Sequence, residues 1–190
     1  MFEIGNQEEQ RLVERLRNGE NGAMREFCSR YADLLAGICA RYIPDEQDMK
    51  DVFQESLIRI ITHISDFDFR GAGSLKAWAS KVVVNESLRF LNDTKRQELR
   101  LLDYDVADEP EDDDPPISDI PPNEIQRMVS QLPTGYRTVF NLYVFEHRSH
   151  QEIASLLGIK ETSSASQLCR AKNLLAKMIK AYNQQNQQRR

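Results

Sequence analysis

The chain has 190 residues, enough for one domain or for two small ones. Its 25 Lys and Arg residues stand against 30 Asp and Glu residues, and the net charge of −5 argues, for the chain as a whole, against nucleic-acid binding. Three irregularly spaced cysteines exclude a disulfide framework, and the sequence shows neither a membrane-spanning apolar run nor a signal-peptide pattern, so we expect a soluble, cytoplasmic protein.

The charge is distributed unevenly along the chain. Residues 1–100 carry a net charge of −2, residues 101–122 carry −9, and residues 123–190 carry +6. The middle segment holds nine carboxylates, no Lys or Arg, and five of the seven prolines. Such a segment cannot bury a core, so it predicts a flexible acidic linker between an N-terminal domain (1–100) and a basic C-terminal domain (123–190).

Helical periodicity predicts an all-α fold made of two small helical domains. In the N-terminal domain, it predicts helices over Glu8–Asn18, Ala23–Tyr42 and Asp45–Ile64, with Asp45 as the N-cap of the third helix. Ser74 is predicted to cap a fourth helix that runs to about Arg96.

The third helix carries one apolar stripe and, on the opposite side, a cluster of polar residues with an isoleucine at its centre. Ile58 points away from the predicted core and is flanked by Asp51, Gln54 and Glu55. A single exposed isoleucine is ordinary. Its acidic and polar surroundings are also typical of a protein interface with an apolar centre, and both interpretations remain open on the pattern alone.

The fourth helix is apolar around most of its circumference, and Trp78 is predicted to belong to the core rather than to a stacking platform. A loop with two glycines and two aromatic residues, Asp66–Ser74, precedes it. One narrow stripe of the helix is cationic and amide-bearing: Lys81, Asn85, Arg89, Asn92 and Arg96. In a buried helix this stripe is available to a ligand, although a solvated edge would show the same pattern.

The C-terminal domain opens with helices that start near Pro122 and Pro133, and it continues as two helices joined by a tight turn. Ser149 and Glu152 form a capping-box pattern, and Gly158 is suited to end the helix that they start. A second helix is predicted over Thr162–Ile179, and the tail from Asn183 is predicted to fray. The apolar face of this second helix holds Leu168, Ala171, Leu175 and Ile179. The other face of the helix holds Thr162, Ser163, Ser166, Arg170, Asn173 and Lys177. This arrangement predicts a DNA-binding helix-turn-helix, with a plain helical hairpin as the alternative.

Two sets of motifs, in the right order, resemble one family, the sigma-70-type sigma factors. The stretch Leu-Pro-Thr-Gly-Tyr-Arg-Thr-Val-Phe (132–140), followed by His150–Ala154 and Ser166–Lys172, resembles region 4 of that family. Asp48-x-x-Asp51-x-x-Gln54-Glu55, followed by Phe69-Arg70-Gly71, Lys76-Ala77-Trp78 and Asn85, is similar to region 2. The short chain and the missing region 3 resemble the extracytoplasmic function (ECF) subfamily.

The resemblance implies a promoter-specificity subunit with no catalytic activity of its own, whose partners are core RNA polymerase, promoter DNA and, commonly, an anti-sigma factor. For binding of the polymerase clamp helices it implies Asp48, Asp51, Gln54, Glu55 and Ile58. For the melted −10 element it implies the loop over residues 67–74 together with Arg70, Lys81, Asn85, Arg89, Asn92 and Arg96. For the −35 duplex it implies Thr162, Ser163, Ser166, Gln167, Arg170, Asn173 and Lys177.

The linker length agrees with this interpretation. Two promoter elements one and a half DNA turns apart are separated by ~50 Å. A fully extended linker of 22 residues (101–122) spans at most ~75 Å, so it can bridge them.

Two other functions compete with this one. A stand-alone helix-turn-helix regulator would explain the C-terminal domain but not the Ile58 face. A zinc protein would need a fourth ligand beside His147, His150 and Cys169, and none is in register, so no cofactor or metal is predicted.

Overall fold

The computed structural model describes residues 2–94 and 120–188. Side chains are described for residues 6–94 and 120–186. All regular structure in these two ranges is helical, which confirms the all-α fold class. The chain forms two compact units, Met1–Phe90 and Leu91–Arg190. The linker prediction, apart from its last residues, and the prediction for Arg96 lie outside the described residues.

The N-terminal unit contains four α-helices. They are α1 (Phe2–Arg17), α2 (Ala23–Tyr42), α3 (Glu46–Thr62) and α4 (Ser74–Thr94), with a 3₁₀ turn at Ile64–Asp66. The prediction of Asp45 as N-cap is confirmed, because its carboxylate accepts hydrogen bonds from the backbone N–H groups of Gln47 (3.0 Å) and Asp48 (2.9 Å). The predicted start of α1 at Glu8 is wrong, since the helix begins at Phe2.

The core of this unit is built from all four helices. Each contributes buried side chains, and two large aromatic side chains that are completely buried, Phe27 and Tyr42, both come from α2. In α4, Leu75, Ala79 and Val83 are completely buried, which agrees with the apolar circumference of this helix. The exposed stripe of α4 is therefore held on a rigid, well-packed support.

The C-terminal unit contains four more helices among its described residues. They are α5 (Pro122–Ser130), α6 (Thr134–Val144), α7 (His150–Leu157) and α8 (Glu161–Gln188). Residues of α5, of the turn that follows it and of α8 form one buried cluster: Met128, Val129, Leu132, Ala171 and Leu175. The predicted fraying from Asn183 is wrong as far as Gln188, because the helix continues; glutamine side chains lose little rotamer freedom in a helix.

A buried arginine fixes the connection between α5 and α6. The Arg137 side chain, only 4% exposed, donates hydrogen bonds to the backbone carbonyls of Leu132 (2.6 Å) and Ser130 (3.3 Å). The Ser130 carbonyl is the last of α5, where a helix leaves its acceptors without intrahelical partners, and the Leu132 carbonyl lies in the turn that follows. Nowhere in the described parts of the chain is a helix apolar and long enough to span a membrane.

Candidate nucleic-acid and protein interfaces

The outer face of α3 is open to solvent at the positions that the sequence singled out. Asp51, Gln54 and Glu55 are exposed, Ile58 is 54% exposed, and Asp48 is half-buried. Ile61, one turn beyond Ile58, is also 45% exposed and was missed by the sequence analysis. The result is a small apolar patch rimmed by carboxylates, and its role in polymerase binding stays a prediction.

A buried carboxylate connects this face to the cationic stripe of α4. Glu86 is 6% exposed, and its oxygens lie 2.7 Å from Arg59 Nε and 3.3 Å from Arg89 Nη2. Arg89 Nη2 also lies 3.9 Å from a carboxylate oxygen of Glu55. Sequence reasoning missed Glu86, because a single acid in an apolar helix gives no hint of the two arginines that neutralise it.

The predicted −10 stripe of α4 is largely exposed. Lys81, Asn85 and Arg89 are exposed and Asn92 is half-buried. In the preceding loop, Arg70 is exposed and its Nε lies 3.1 Å from a carboxylate oxygen of Asp68. These cations and amides therefore face solvent together, as a single-strand-binding surface requires, and their DNA contacts remain predictions.

The loop over residues 67–74 is anchored by an aromatic pair at its start. The Phe67 ring is buried and lies 5.1 Å from the Trp78 ring, centroid to centroid, at an interplanar angle of 39°. Gly71 and Gly73 adopt left-handed conformations with φ of 109° and 88°, where side-chain-bearing residues are strained.

The prediction that Ser74 caps α4 is wrong. Its hydroxyl donates a hydrogen bond to the Gly71 carbonyl (2.6 Å) and accepts one from the Arg70 N–H (3.3 Å), so it braces the loop instead. The carboxylate of Glu9, on α1, accepts from the N–H groups of Gly73 and Leu75, each at 2.8 Å. A side chain more than sixty residues away in sequence thus supplies the acceptor at the start of α4, which no local pattern could reveal.

The other end of the loop is also bound by α1. Arg17 donates a hydrogen bond to the Ile64 carbonyl (3.3 Å) and another to the Phe67 carbonyl. The loop therefore has both of its ends hydrogen-bonded to one helix.

The helix-turn-helix of α7 and α8 forms as the sequence predicts. The Ser149 hydroxyl accepts from the Glu152 N–H (3.2 Å), and the Glu152 carboxylate accepts from the Ser149 N–H (2.9 Å), which confirms the capping box. Hydrogen bonding to Ser149 and then to Arg148 lowers the pKa of the Glu152 carboxyl. Gly158 ends α7 in the left-handed conformation, φ 65°, as expected.

A contact between the two helices fixes their relative position. His150 Nδ1, in the first turn of α7, lies 3.0 Å from Ser164 Oγ in the first turn of α8. The His150 ring stacks on Tyr143 of α6, with 4.9 Å between ring centroids. Ser164 is completely buried, so the start of α8 is seated firmly against α7.

The predicted outer face of α8 is only partly correct. Thr162, Ser166 and Lys177 are exposed and Ser163 is half-buried. The placement of Arg170 and Asn173 on this outer face is wrong, because each is only 9% exposed. Gln167, which the resemblance alone implied as a −35 contact, is 2% exposed. The prediction from helical periodicity assumed that α8 buries a single apolar stripe. In the structure, side chains on more than one side of α8 are buried. The DNA-binding role of these three residues stays a prediction.

The exposed face of the first turns of α8 follows a slightly different line. It runs through Thr162, Ala165, Ser166 and Lys172, with the half-buried Cys169 between them. The i, i+3 and i+4 spacing of these residues places them on one side of the helix. Small side chains there would let the backbone approach base edges closely, and Lys172 supplies the cation.

The histidines and cysteine weighed as zinc ligands are not brought together as a metal site. In the part of the chain that the structure describes, no group of three or more His, Cys, Asp or Glu side chains could hold a metal ion.

Comparison with known proteins identifies both units. The family described as Sigma-70 region 2 matches residues 27–97, and the family described as Sigma-70, region 4 matches residues 123–175; together they cover more than half of the chain. The ECF RNA polymerase sigma-E factor of Haemophilus influenzae is 29% identical over 182 residues, which cover 90% of this chain and 95% of that protein.

Two further similar proteins are the RNA polymerase sigma-H factor of Pseudomonas aeruginosa and the solved structure described as CnrH in complex with the cytosolic domain of CnrY. The sigma-H factor is 26% identical over 187 residues, which cover 91% of this chain and 94% of that protein. The match to the CnrH structure covers 90% of this chain and 96% of that chain at 22% identity, with a TM-score of 0.47. On the strength of the two matched regions and the curated relatives, the chain belongs to the sigma-70-type sigma factors, in the ECF subfamily, and is a promoter-specificity subunit of RNA polymerase.

Proposed function

We propose that the two units bind promoter DNA at separate elements while the N-terminal unit is docked on core RNA polymerase. The docking surface is the outer face of α3: Asp48, Asp51, Gln54, Glu55 and Ile58. An exposed isoleucine surrounded by carboxylates offers an apolar contact at the centre and charge complementarity at the rim. Ile61 extends the apolar centre by one turn.

In this proposal, the loop over residues 67–74 and the α4 stripe bind the melted −10 strand. The side chains involved are Arg70, Lys81, Asn85, Arg89, Asn92 and Arg96. Holding a base outside the duplex costs a few kcal/mol, which cations along the backbone and a base-accepting loop must offset. The exposure of Lys81, Asn85 and Arg89 supports this assignment.

The start of α8 then binds the −35 duplex in the major groove. Thr162, Ser166 and Lys172 are exposed at this end, and they are the side chains that we expect to contact DNA first. Ser163 is half-buried and Lys177 is exposed about three turns beyond Ser166, so we expect Lys177 to contact phosphate rather than bases.

The observation that carries the proposal is the pairing of an exposed acidic-rimmed apolar face in one unit with an exposed polar helix-turn-helix face in the other. Initiation chemistry would belong to the polymerase, and the proposed place of action is the cytoplasm, where that enzyme transcribes the chromosome. An anti-sigma factor that covers either surface would switch the protein off, and it is a further proposed partner.

In vitro transcription tests the whole proposal. The purified chain is added to sigma-free core polymerase with a library of random promoters, and the start sites are sequenced. We expect selection of templates with two conserved elements one and a half turns apart. Transcription without start-site selection, or duplex footprints that do not need polymerase, would instead favour a stand-alone regulator.

The docking face is tested by Ile58→Arg, which places a charge at the centre of the apolar patch. We expect at least a tenfold loss of affinity for core polymerase, measured by fluorescence anisotropy of the labelled full-length chain. Gln10→Arg, an exposed position on α1, is the matched control and should bind normally. Equal affinity of the two variants would remove α3 from the interface.

The upstream contact is tested by Lys172→Ala in the assembled holoenzyme. If Lys172 contacts one phosphate, the slope of log affinity against log salt should fall by about 0.9. Lys180→Ala, an exposed lysine roughly 12 Å further along the helix, is the control. Arg170→Ala in the same assay decides whether the buried arginine takes part.

A further inference from the structure

The loop that is proposed to accept the −10 base has little structure of its own. It connects the 3₁₀ turn at Ile64–Asp66 to α4, and two of its residues, Gly71 and Gly73, have positive φ. Glycine loses more conformational freedom on folding than other residues, so such a loop needs outside contacts to keep one shape.

Glu9 supplies one of these contacts from the interior. Its side chain is buried, and a buried carboxylate is costly unless its oxygens accept hydrogen bonds. Here one oxygen accepts from the Gly73 N–H (2.8 Å) and lies 3.4 Å from the Tyr31 hydroxyl, which donates to it, and the other accepts from the Leu75 N–H (2.8 Å). The carboxylate also lies at the positive end of the α4 dipole, which favours its negative charge.

Arg17 supplies the matching contact at the start of the loop. Its guanidinium donates to the carbonyls of Ile64 and Phe67, on either side of the last turn before the loop. Glu9 and Arg17 lie eight residues apart on α1, so one rigid helix fixes the distance between the two ends of the loop.

We infer that α1 is a positioning element for promoter melting: Glu9 and Arg17 hold the loop over residues 67–74 in the shape that accepts the unstacked −10 base. This inference rests on the proposed function. A buried carboxylate does not reach DNA, so Glu9 acts through the loop. Ordering the loop in advance removes an entropic cost that base capture would otherwise carry.

The test uses the full-length chain bound to core polymerase. The probe is a single-stranded oligonucleotide with the −10 sequence of a promoter selected in the transcription experiment, with 2-aminopurine at the captured position. Unstacking of this base raises its fluorescence, so the amplitude at saturation reports capture separately from affinity. Glu9→Gln keeps the shape of the side chain but removes its charge.

We expect Glu9→Gln to weaken oligonucleotide binding at least tenfold and to lower the fluorescence amplitude at saturation, while its affinity for core polymerase is unchanged. Glu8→Gln, the exposed neighbour, should behave like the unaltered chain. Val13→Ala, which deletes a 1% exposed core side chain of the same helix, is the control for general destabilisation and should keep the full amplitude.

If the unaltered chain gives no fluorescence change with core polymerase, the proposed function itself fails. If the unaltered chain captures the base and Glu9→Gln captures it equally well, or if Val13→Ala loses amplitude to the same extent, the positioning role is overturned. Should Glu9→Gln fail to bind polymerase, Arg17→Gln tests the other end of the loop with the same expected loss, and normal capture by that variant overturns the inference.

Discussion

The two units hold their candidate DNA-binding segments in opposite ways. In the N-terminal unit, the loop before α4 depends on partners far away in sequence: Glu9 and Gly73 are 64 positions apart, and Arg17 and Phe67 are 50 apart. In the C-terminal unit, α7 is started by Ser149 and Glu152, three positions apart, and ended by the adjacent Gly158. The loop inherits its shape from the fold of the whole unit, whereas the helix-turn-helix is specified by neighbouring residues.

The difference extends to the charges. Among its described residues, the N-terminal unit buries the carboxylates of Glu9 and Glu86 and compensates each with more than one donor. The Glu152 carboxylate in the C-terminal unit stays exposed and acts only on the local helix start. Changes in the first unit should therefore cost more stability, and changes in the second should stay confined to one helix.

The largest effect is expected from Glu86→Ala. It removes a buried carboxylate from Arg59 and Arg89, and because both arginines can still reach solvent, we expect a loss of about 2–3 kcal/mol rather than the full cost of an isolated buried charge. Trp78, the single tryptophan of the chain, makes fluorescence during urea unfolding a direct measure of this unit. Glu55→Gln, at the exposed 3.9 Å contact, should shift the free energy of unfolding by less than about 0.5 kcal/mol.

A smaller and strictly local loss is expected from Ser149→Ala. Removing the N-cap hydroxyl should destabilise α7 by about 1 kcal/mol. Amide hydrogen exchange across residues 150–157 measures it, and the unfolding midpoint seen by Trp78 should not move. Ser155→Ala, at an exposed position inside the same helix, serves as the control and should not reduce protection. A shifted Trp78 midpoint would contradict the expectation that the loss stays confined to α7.

Two glycine-to-alanine substitutions should change the free energy of unfolding in opposite directions. Gly158→Ala places a side chain at φ 65° and should cost about 1 kcal/mol in the C-terminal unit. Gly37→Ala, inside α2, adds a Cβ that meets nothing within 4 Å except the neighbouring backbone of its own helix, and it should instead stabilise the N-terminal unit by roughly 0.5–1 kcal/mol. Urea unfolding followed by Trp78 and by circular dichroism distinguishes them, and equal signs would refute the expectation.

The smallest effect is a pH dependence of α7. The pKa of Glu152 is lowered by its hydrogen bonds to Ser149 and by Arg148, so its contribution to stability is present above the ordinary value of 4.5 and is lost as pH falls through the lower folded value. The difference in hydrogen-exchange protection of α7 between the unaltered chain and Glu152→Gln should therefore be constant near neutral pH. It should shrink as the pH falls below 4.5. A difference that grows with acidification would reverse the assigned sign.

Short-range features were accessible from the sequence. Asp45 as N-cap, the Ser149–Glu152 box and the Gly158 terminus were predicted and are confirmed, because each depends on a few neighbouring residues. The exposure of Ile58 followed from counting around one amphipathic helix with a single buried side.

Features set by tertiary packing were not accessible. The sequence predicts Ser74 as the cap of α4, but Glu9 provides the acceptor from another helix. Arg170 and Asn173 lie across α8 from its apolar stripe and are nevertheless buried, because polar surfaces of that helix are enclosed as well. A one-dimensional pattern shows which residues are apolar, but it does not show how many sides of a helix are covered.

The length of α8 has a consequence for how its DNA contacts can change. This helix, Glu161–Gln188, carries the exposed residues Thr162, Ala165, Ser166 and Lys172 at one end and continues without interruption into Leu175, which packs on α5. Substitutions at the exposed end can alter base preference one side chain at a time. A one-residue insertion between Lys172 and Leu175 would rotate the exposed end by about 100° about the helix axis, turning every contact away from the groove at once.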